Sequence, residues 1–196
     1  MKLDDPGLEN EFVRLKVLTE ADREVLAATT AVDAMWQRMP VIATGTNFNS
    51  YFDYALEMTQ TGDAIPFAIW RKSDDAFAGV AAYVDISRTH RRLRMAYFWI
   101  VPEMRGTLIV PAAQLALIER AVGSRMRRLE ILTPATNERS VRSIERFGAR
   151  HEGTLRSYIR IANGAWADMA VLSLVGDEAQ AAITLLRDRI RQMQLA

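Results

Sequence analysis

Leu129-Glu-Ile-Leu-Thr-Pro134-Ala-Thr-Asn137-Glu-Arg-Ser140-Val-Arg-Ser-Ile-Glu-Arg-Phe147-Gly148-Ala-Arg-His-Glu152-Gly153-Thr-Leu-Arg-Ser-Tyr158 is the stretch that decides the fold. Leu129 to Thr133 reads as a short strand, with Leu129 and Ile131 on one face and Glu130 and Leu132 on the other. Pro134 has no amide to donate, so sheet pairing should end there. Asn137 is placed to cap a helix, its side-chain oxygen accepting from the open amides of the next turn. Val141, Ile144 and Phe147 make a short apolar stripe, and Gly148 sits where a left-handed C-cap is expected. Strand, polar corner, short helix and return strand together form a site where a ligand can lie along the end of an open sheet.

Outward from this stretch the pattern remains mixed. Residues 1 to 7 read as a loose end. Glu11 to Leu18 alternates as a first strand, with Phe12, Val13, Leu15 and Val17 as its apolar members. Thr19-Glu20-Ala21-Asp22 resembles a capping box, opening a helix that runs to about Thr30 and buries Val25 and Leu26. Ala34 to Met39 reads as a second short helix stopped by Pro40. A third, capped by Asn49 or Ser50, carries Tyr54, Leu56 and Met58 and ends near Gly62. Ile65 to Arg71 and Phe77 to Ile86 flank the turn Ser73-Asp74-Asp75 as an antiparallel hairpin. Leu93 to Val101 is an apolar, aromatic strand closed by Pro102. Pro111 to Val122 is the clearest helix, with Leu115, Leu117, Ile118 and Val122. Gly153 to Ile161 and Ala165 to Val175 flank Asn163-Gly164, a strong two-residue hairpin signal. Asp177 to Leu195 is a last helix, striped by Ala179, Ile183, Leu186, Ile190 and Met193.

These 196 residues show no repeat or linker, so 1–196 is expected to be one α/β (α+β) domain able to bury a substantial core. A formal net charge of +1 argues against broad capture of nucleic acid or anionic lipid. The basic clusters Arg88 to Arg94 and Arg125 to Arg128 read first as solvated loop charge. Absence of cysteine removes disulfides, thiol nucleophiles and thiolate metal sites. His90 and His151 lie far apart in the chain, so no metal is expected. No signal peptide or span-length apolar run is visible, which makes the cytoplasm the default expectation.

Asn137-x-x-Ser140, followed by Arg146-Phe147-Gly148-Ala149 and Glu152-Gly153, resembles the GNAT superfamily of acyl-CoA N-acyltransferases. The nearest branch is that of the ribosomal-protein N-terminal acetyltransferases. The resemblance covers nearly the whole chain, including Phe77 to Val80, Tyr97 to Trp99 and Arg105-Gly106-Thr107. Each motif is weak by itself; their order and spacing are fairly specific. It implies a twisted, mostly antiparallel sheet of about seven strands flanked by helices, with a splayed pair of central parallel strands. It also implies acetyl-CoA as co-substrate, without a metal.

By this resemblance, the loop Arg105-Gly106-Thr107-Leu108-Ile109-Val110 ahead of Pro111 should cradle the cofactor pyrophosphate. Backbone amides at a helix N-terminus make an anion site without many charged side chains. Leu108 and Val110 depart from the family, standing where small residues are usual. Either the loop keeps its course with these side chains turned away, or cofactor binding is weakened or lost. The pantetheine would pair with backbone near Ile100 and Val101 and be held by Asn137. Ser140 matches the family hydroxyl near the CoA sulfur, the catalytic candidate for protonating the leaving thiolate. Trp36, Tyr83, Tyr97 and Trp99 are candidates for the acceptor side, although packing explains aromatic residues without function. Asp168 matches a family position on the last hairpin.

Many relatives carry a glutamate just before the aromatic strand segment, where this chain has Arg94 or Met95. Glu103, Asp85, His90, His151 and Tyr158 are substitutes without supporting context, and Glu152 serves equally well as a sheet anchor. A lysine amine near pKa 10.4 is neutral in about 0.04 % of molecules at pH 7, an α-amine near 7.8 in roughly one of seven. A site without an evident base therefore favours a peptide N-terminus or another weakly basic amine. Two readings stand. One is an acetyl-CoA-dependent N-acetyltransferase acting by direct attack in a ternary complex. The other is a catalytically degenerate relative serving as a ligand-sensing or interaction module. A longer acyl chain is a third, weaker option. The stripe Ala179 to Met193 covers its own sheet or joins a homodimer.

Overall fold

A computed structural model describes residues 2–4, 6–30, 40, 47–62 and 64–195. The expected helix Ala34 to Met39, and with it Trp36, lies outside the described residues. In chain order the elements are β1 (Leu8–Glu9), β2 (Val13–Val17), α1 (Arg23–Thr30), α2 (Phe48–Thr61), β3 (Ala64–Arg71), β4 (Ala76–Ser87) and β5 (Arg92–Ile100). They continue with α3 (Ile109–Gly123), β6 (Arg128–Pro134), α4 (Glu138–Glu145), β7 (Arg150–Arg160), β8 (Trp166–Val175) and α5 (Asp177–Gln194). Among the described residues one open sheet of eight strands runs β1-β2-β3-β4-β5-β6-β8-β7, one more than the about seven that the resemblance implied. The extra strand is the two-residue β1, too short to carry a periodic signal. Every pair is antiparallel except β5 with β6.

The parallel pair decides the architecture. β5 and β6 pair only from Arg92↔Arg128 to Met95↔Ile131. β6 then stays with β8 past Pro134↔Met169, the Ala135 amide still donating to Asp168 O at 2.8 Å. The proline, whose missing amide faces away from β8, therefore does not itself end the pairing. β5 stays instead with β4, through a bulge between Ala82↔Ala96 and Val80↔Trp99. Tyr97 lies in that bulge at φ +51°, and a bulge bends its strand and sharpens its twist. Two strands that start as neighbours thus part, and the splay inferred from the resemblance is observed.

Helix α3 fills the middle of the molecule. It is apolar nearly all round, the pattern of a helix buried on most sides, and Ala112, Ala113, Leu117, Ile118 and Ala121 are fully enclosed. Helix α5 packs beside it with Ala179, Ala182, Ile183, Leu186 and Ile190, and Arg187 reaches Glu119 at 2.6 Å. Its stripe therefore covers the chain's own core. The capping box at Thr19 forms, with Asp22 accepting from the Thr19 amide at 2.8 Å. Helix α2 starts one turn earlier than Asn49 or Ser50 would place it: Asn47 is the cap, accepting from Ser50 N at 3.0 Å. Its buried face is Tyr51, Phe52 and Ala55, while Tyr54, Leu56 and Met58 are half-buried.

The first residues are no loose end. Leu3 is fully buried, and the buried Arg120 donates from Nη1 to the carbonyls of Lys2 and Leu3 at 3.3 and 3.5 Å. The two basic clusters also find structural work. Arg91 donates from Nε to the Arg125 carbonyl at 2.7 Å, while its own carbonyl accepts from the amides of Arg127 and Arg128. Together these bonds pin the β4–β5 turn to the turn before β6.

Candidate active site

The corner after β6 forms as its sequence dictates. Asn137 Oδ1 accepts from Ser140 N at 3.2 Å and caps α4, and the Asn137 amide donates to Pro134 O at 2.8 Å. Gly148 takes φ +95° as its C-terminal position requires, and Ile144 and Phe147 are buried beneath the helix. Asn137 Nδ2 and Ser140 Oγ have no partner among the described residues, so both are available at the end of the gap.

The loop ahead of α3 forms the opposite wall. Thr107 Oγ1 donates to Met104 O at 2.7 Å and accepts from Ile109 N at 3.3 Å, and Val110 N reaches Thr107 O at 3.4 Å. Gly106, at φ +77°, and Leu108 keep amides with no partner among the described residues. Ile109 is buried, and Leu108 and Val110 pack against the hydrophobic core. Leu108 and Val110 are half-buried, so neither side chain stands fully exposed on the loop. Arg105 folds back, donating from Nε to Ile100 O at 2.8 Å with its guanidinium 5.9 Å from the centre of the Trp99 ring.

Backbone alternation sorts the β5 residues. Val101 N donates to Ala78 O at 2.9 Å, so its amide faces β4. Ile100, one residue earlier, turns its amide to the side where β6 has parted. Of the two, only Ile100 therefore presents an amide to the gap. The residues present fit an acyl-CoA: amides before a helix for a diphosphate, a strand amide in an open gap, and an amide side chain and a hydroxyl at its end.

Tyr83 is not an acceptor-side residue. It is fully buried, donates to the Leu117 carbonyl and meets Phe67 edge-on at 5.4 Å. Burial pushes its phenol well above the usual range. Tyr97 does line a cavity, with its ring 5.7 Å from Tyr51, and burial pushes its phenol up to about 12. This cavity of about 210 Å³ lies between α2 and the β4–β5 pair. Ala64, Ala82 and Val84 form a small apolar cluster in its wall, against which Met58 and Tyr97 pack. A more open trough of about 430 Å³ shares Met58, Asp85 and Arg94 with it. Arg94, which with Met95 is one of the two positions where the resemblance expects a carboxylate, pairs with Asp85 across the strands at 2.7 Å.

Among the five substitute bases, Asp85 is the one that lines a cavity. It occupies a second β4–β5 irregularity, between Val84↔Arg94 and Ser87↔Arg92, at φ +51°. Glu103, His90, His151 and Tyr158 are exposed outside the cavity. Glu152 is a sheet anchor: Arg128 reaches it from Nη1 at 2.8 Å and the Ser173 hydroxyl donates at 2.7 Å. Those two partners hold its carboxyl at about 2. Asp168 is structural too, accepting from Ser157 N at 2.7 Å. Sequence reading missed Tyr51 and the pairing of Arg94 with Asp85. Tyr51, Tyr54 and Met58 share a helix face, a spacing that also describes ordinary core, and nothing in the strand sequence marks the bend at Asp85. Among the described residues, no group of three histidines or carboxylates could hold a metal, and no helix is long and apolar enough to cross a membrane.

A mixed, mostly antiparallel sheet whose one parallel pair parts beside an open-amide helix N-terminus matches the GNAT fold. Residues 13–150 match the acetyltransferase (GNAT) domain family, and the chain belongs to that family. Comparison with curated proteins found no match. The fold is similar to that of a GCN5-related N-acetyltransferase from Brucella melitensis, at 22% identity and TM-score 0.80 over 93% of this chain and 84% of that one. It is similar to Mycobacterium smegmatis RimJ in complex with CoA-disulfide, at 20% identity and TM-score 0.77 over 90% and 88% of the two chains. Spermidine N-acetyltransferase from Vibrio cholerae in complex with CoA and spermine is 15% identical, with TM-score 0.70 over 87% and 99%.

Proposed function

We propose that this chain transfers an acetyl group from acetyl-CoA to a primary amine, a protein or peptide N-terminus or a small amine, by direct attack in a ternary complex. The observation that carries the reading is the gap between β5 and β6 flanked by the unpartnered amides of Gly106 and Leu108. Those amides, with the α3 dipole behind them, would hold the diphosphate. The Ile100 amide and Asn137 Nδ2 would align the pantetheine arm. The co-substrate supplies an activated acyl carbon and a thiolate leaving group. Ser140 Oγ–H would hydrogen-bond the leaving thiolate and relay to it a proton drawn from solvent, and Asp85, at the mouth of the cavity, would receive the proton lost by the amine and release it to solvent.

Calorimetry with acetyl-CoA and with CoA tests the reading, and no binding at high micromolar concentration refutes it. Arg94 or Met95 standing where many relatives carry a glutamate favours the second reading, a sensor without turnover. Binding of acetyl-CoA with no thiol released across a panel of amines would support that one instead.

A further inference from the structure

We infer that the cavity beneath α2 selects a small acceptor carrying a carboxylate beside its amine and an apolar or aromatic body, that is, a free amino acid-like zwitterion. The inference rests on the acetyltransferase reading and narrows its acceptor. Three charged side chains line the cavity and its trough: Asp85, Arg92 and Arg94. Arg94 Nη1 and Asp85 Oδ2 meet at 2.7 Å, so both signs are presented side by side. This uses one oxygen of Asp85 and one nitrogen of Arg94. Neither residue has another ion-pair partner among the described residues, and Arg92 has none at all there. The remaining oxygen suits an ammonium and the remaining guanidinium donors a carboxylate. An α-amino acid holds those groups one carbon apart, which matches a cross-strand ion pair better than two distant charges would.

Charge decides against the alternatives. Among the described residues two cations and one anion line the site, so a polyamine with several positive charges would meet net repulsion there. A peptide N-terminus has no carboxylate next to its amine and would leave Arg92 and Arg94 unanswered. The rest of the wall is mainly aromatic and apolar, with Tyr51, Tyr54, Tyr97 and Met58 around it and Ala82 and Val84 in its floor. At about 210 Å³ the inner cavity is smaller than a drug-sized pocket of roughly 300–1,000 Å³, so its occupant is small. Tyr97 ties it to the gap, lying two residues beyond the last parallel pair, Met95↔Ile131.

The test compares L-phenylalanine, L-phenylalanine amide, phenethylamine and spermidine on the full chain, with and without CoA. Binding is read by calorimetry and transfer by thiol release. L-phenylalanine should bind about tenfold or more tighter than its amide, since a charge-assisted pair is gained. That preference should collapse toward unity in Arg94→Gln, while Asp85→Asn should weaken all four amines. Equal affinity for the acid and its amide, or a preference for spermidine or the amide, overturns the inference, as does no saturable binding of L-phenylalanine. Loss of acetyl-CoA binding alone would refute the transferase reading and leave the acceptor preference readable in the CoA-free arm. Should either variant fail to fold, the four-ligand series on the unmodified chain decides.

Discussion

Gly79→Ala is the sharpest test of how the gap is held open. Gly79 lies opposite Ile100, in the part of β5 that has left β6. A Cβ placed on Gly79 would stand 2.0 Å from the Trp99 carbonyl oxygen and 2.9 Å from Ile100 Cα, both backbone atoms that no rotamer change can move. Separations under 3.0 Å are essentially never tolerated, so β5 would have to retreat by about 1 Å. Overpacking of this kind costs about 1–3 kcal/mol, and each ladder hydrogen bond stretched beyond use adds about 1 kcal/mol. A total of about 3 kcal/mol lowers Tm by about 6–12 °C in a chain of this size. Thermal unfolding followed by circular dichroism measures it. Because the retreat moves the Ile100 amide, acetyl-CoA affinity should fall as well. Gly106→Ala is the control: its Cβ would meet nothing within 4 Å, and only its positive φ is strained. A Gly79→Ala protein melting within about 2 °C of the parent would refute the close approach of these strands.

Three further outcomes are expected. Asn137→Ala removes the α4 cap, should cost about 1 kcal/mol, and should weaken CoA binding more than that loss of stability explains; unchanged CoA affinity would remove Asn137 from the site. Glu152, held by Arg128 and Ser173 at about 2, has a folded pKa below its unfolded value of about 4.3. Its contribution is therefore full above about pH 4.3 and lost as pH falls toward 2; with screening at this partly exposed pair it amounts to about 1 kcal/mol. Glu152→Gln should flatten the fall of the urea midpoint between about pH 4.5 and 3, and a profile parallel to the parent's would contradict this. Tyr51, Tyr83 and Tyr97, all pushed upward by burial, should stay protonated at about pH 10.5 until the chain unfolds, as read by phenolate absorbance. Titration of all five tyrosines before unfolding would show that the cavity wall is open.

Much of the fold was legible because its signals are local. Asn137, Gly148 and the capping box at Thr19 each act within a turn of their own position, and each does what its chemistry requires. Strand periodicity likewise located β3 to β8. What failed was long-range or too short to be periodic. Leu3 is buried because Arg120, far along the chain, holds the carbonyls of Lys2 and Leu3. Tyr83 belongs to the core because α3 crosses above it and offers the Leu117 carbonyl. The acceptor cavity was illegible for a similar reason. It needs α2 set against two irregular strands, and only the three-dimensional arrangement brings Tyr51 onto Tyr97 or Asp85 onto Arg94.

Those irregularities explain why one sheet serves two binding regions. Asp85 and Tyr97 are non-glycine residues at φ +51°, a conformation that costs on the order of 1–2 kcal/mol each. Asp75, Arg91 and Arg125 share it in turns, where the chain must reverse; Asp85 and Tyr97, like Ser157 in β7, adopt it inside strands. Asp tolerates the left-handed region through its short polar side chain, but a tyrosine does not, so the strain at Tyr97 persists only because surrounding packing holds it. Its ring is seated against Tyr51 and the Ala82–Val84 wall. The same bulge bends β5 away from β6 and so opens the gap. Seating of the ring in the acceptor cavity and parting of the central strands are thus two consequences of one backbone distortion. An acceptor that repacks Tyr97 would therefore act directly on the strand that presents the Ile100 amide. Deleting a residue from the bulge should restore regular pairing beyond Met95↔Ile131 and abolish both sites together, whereas Tyr97→Phe should spare the gap.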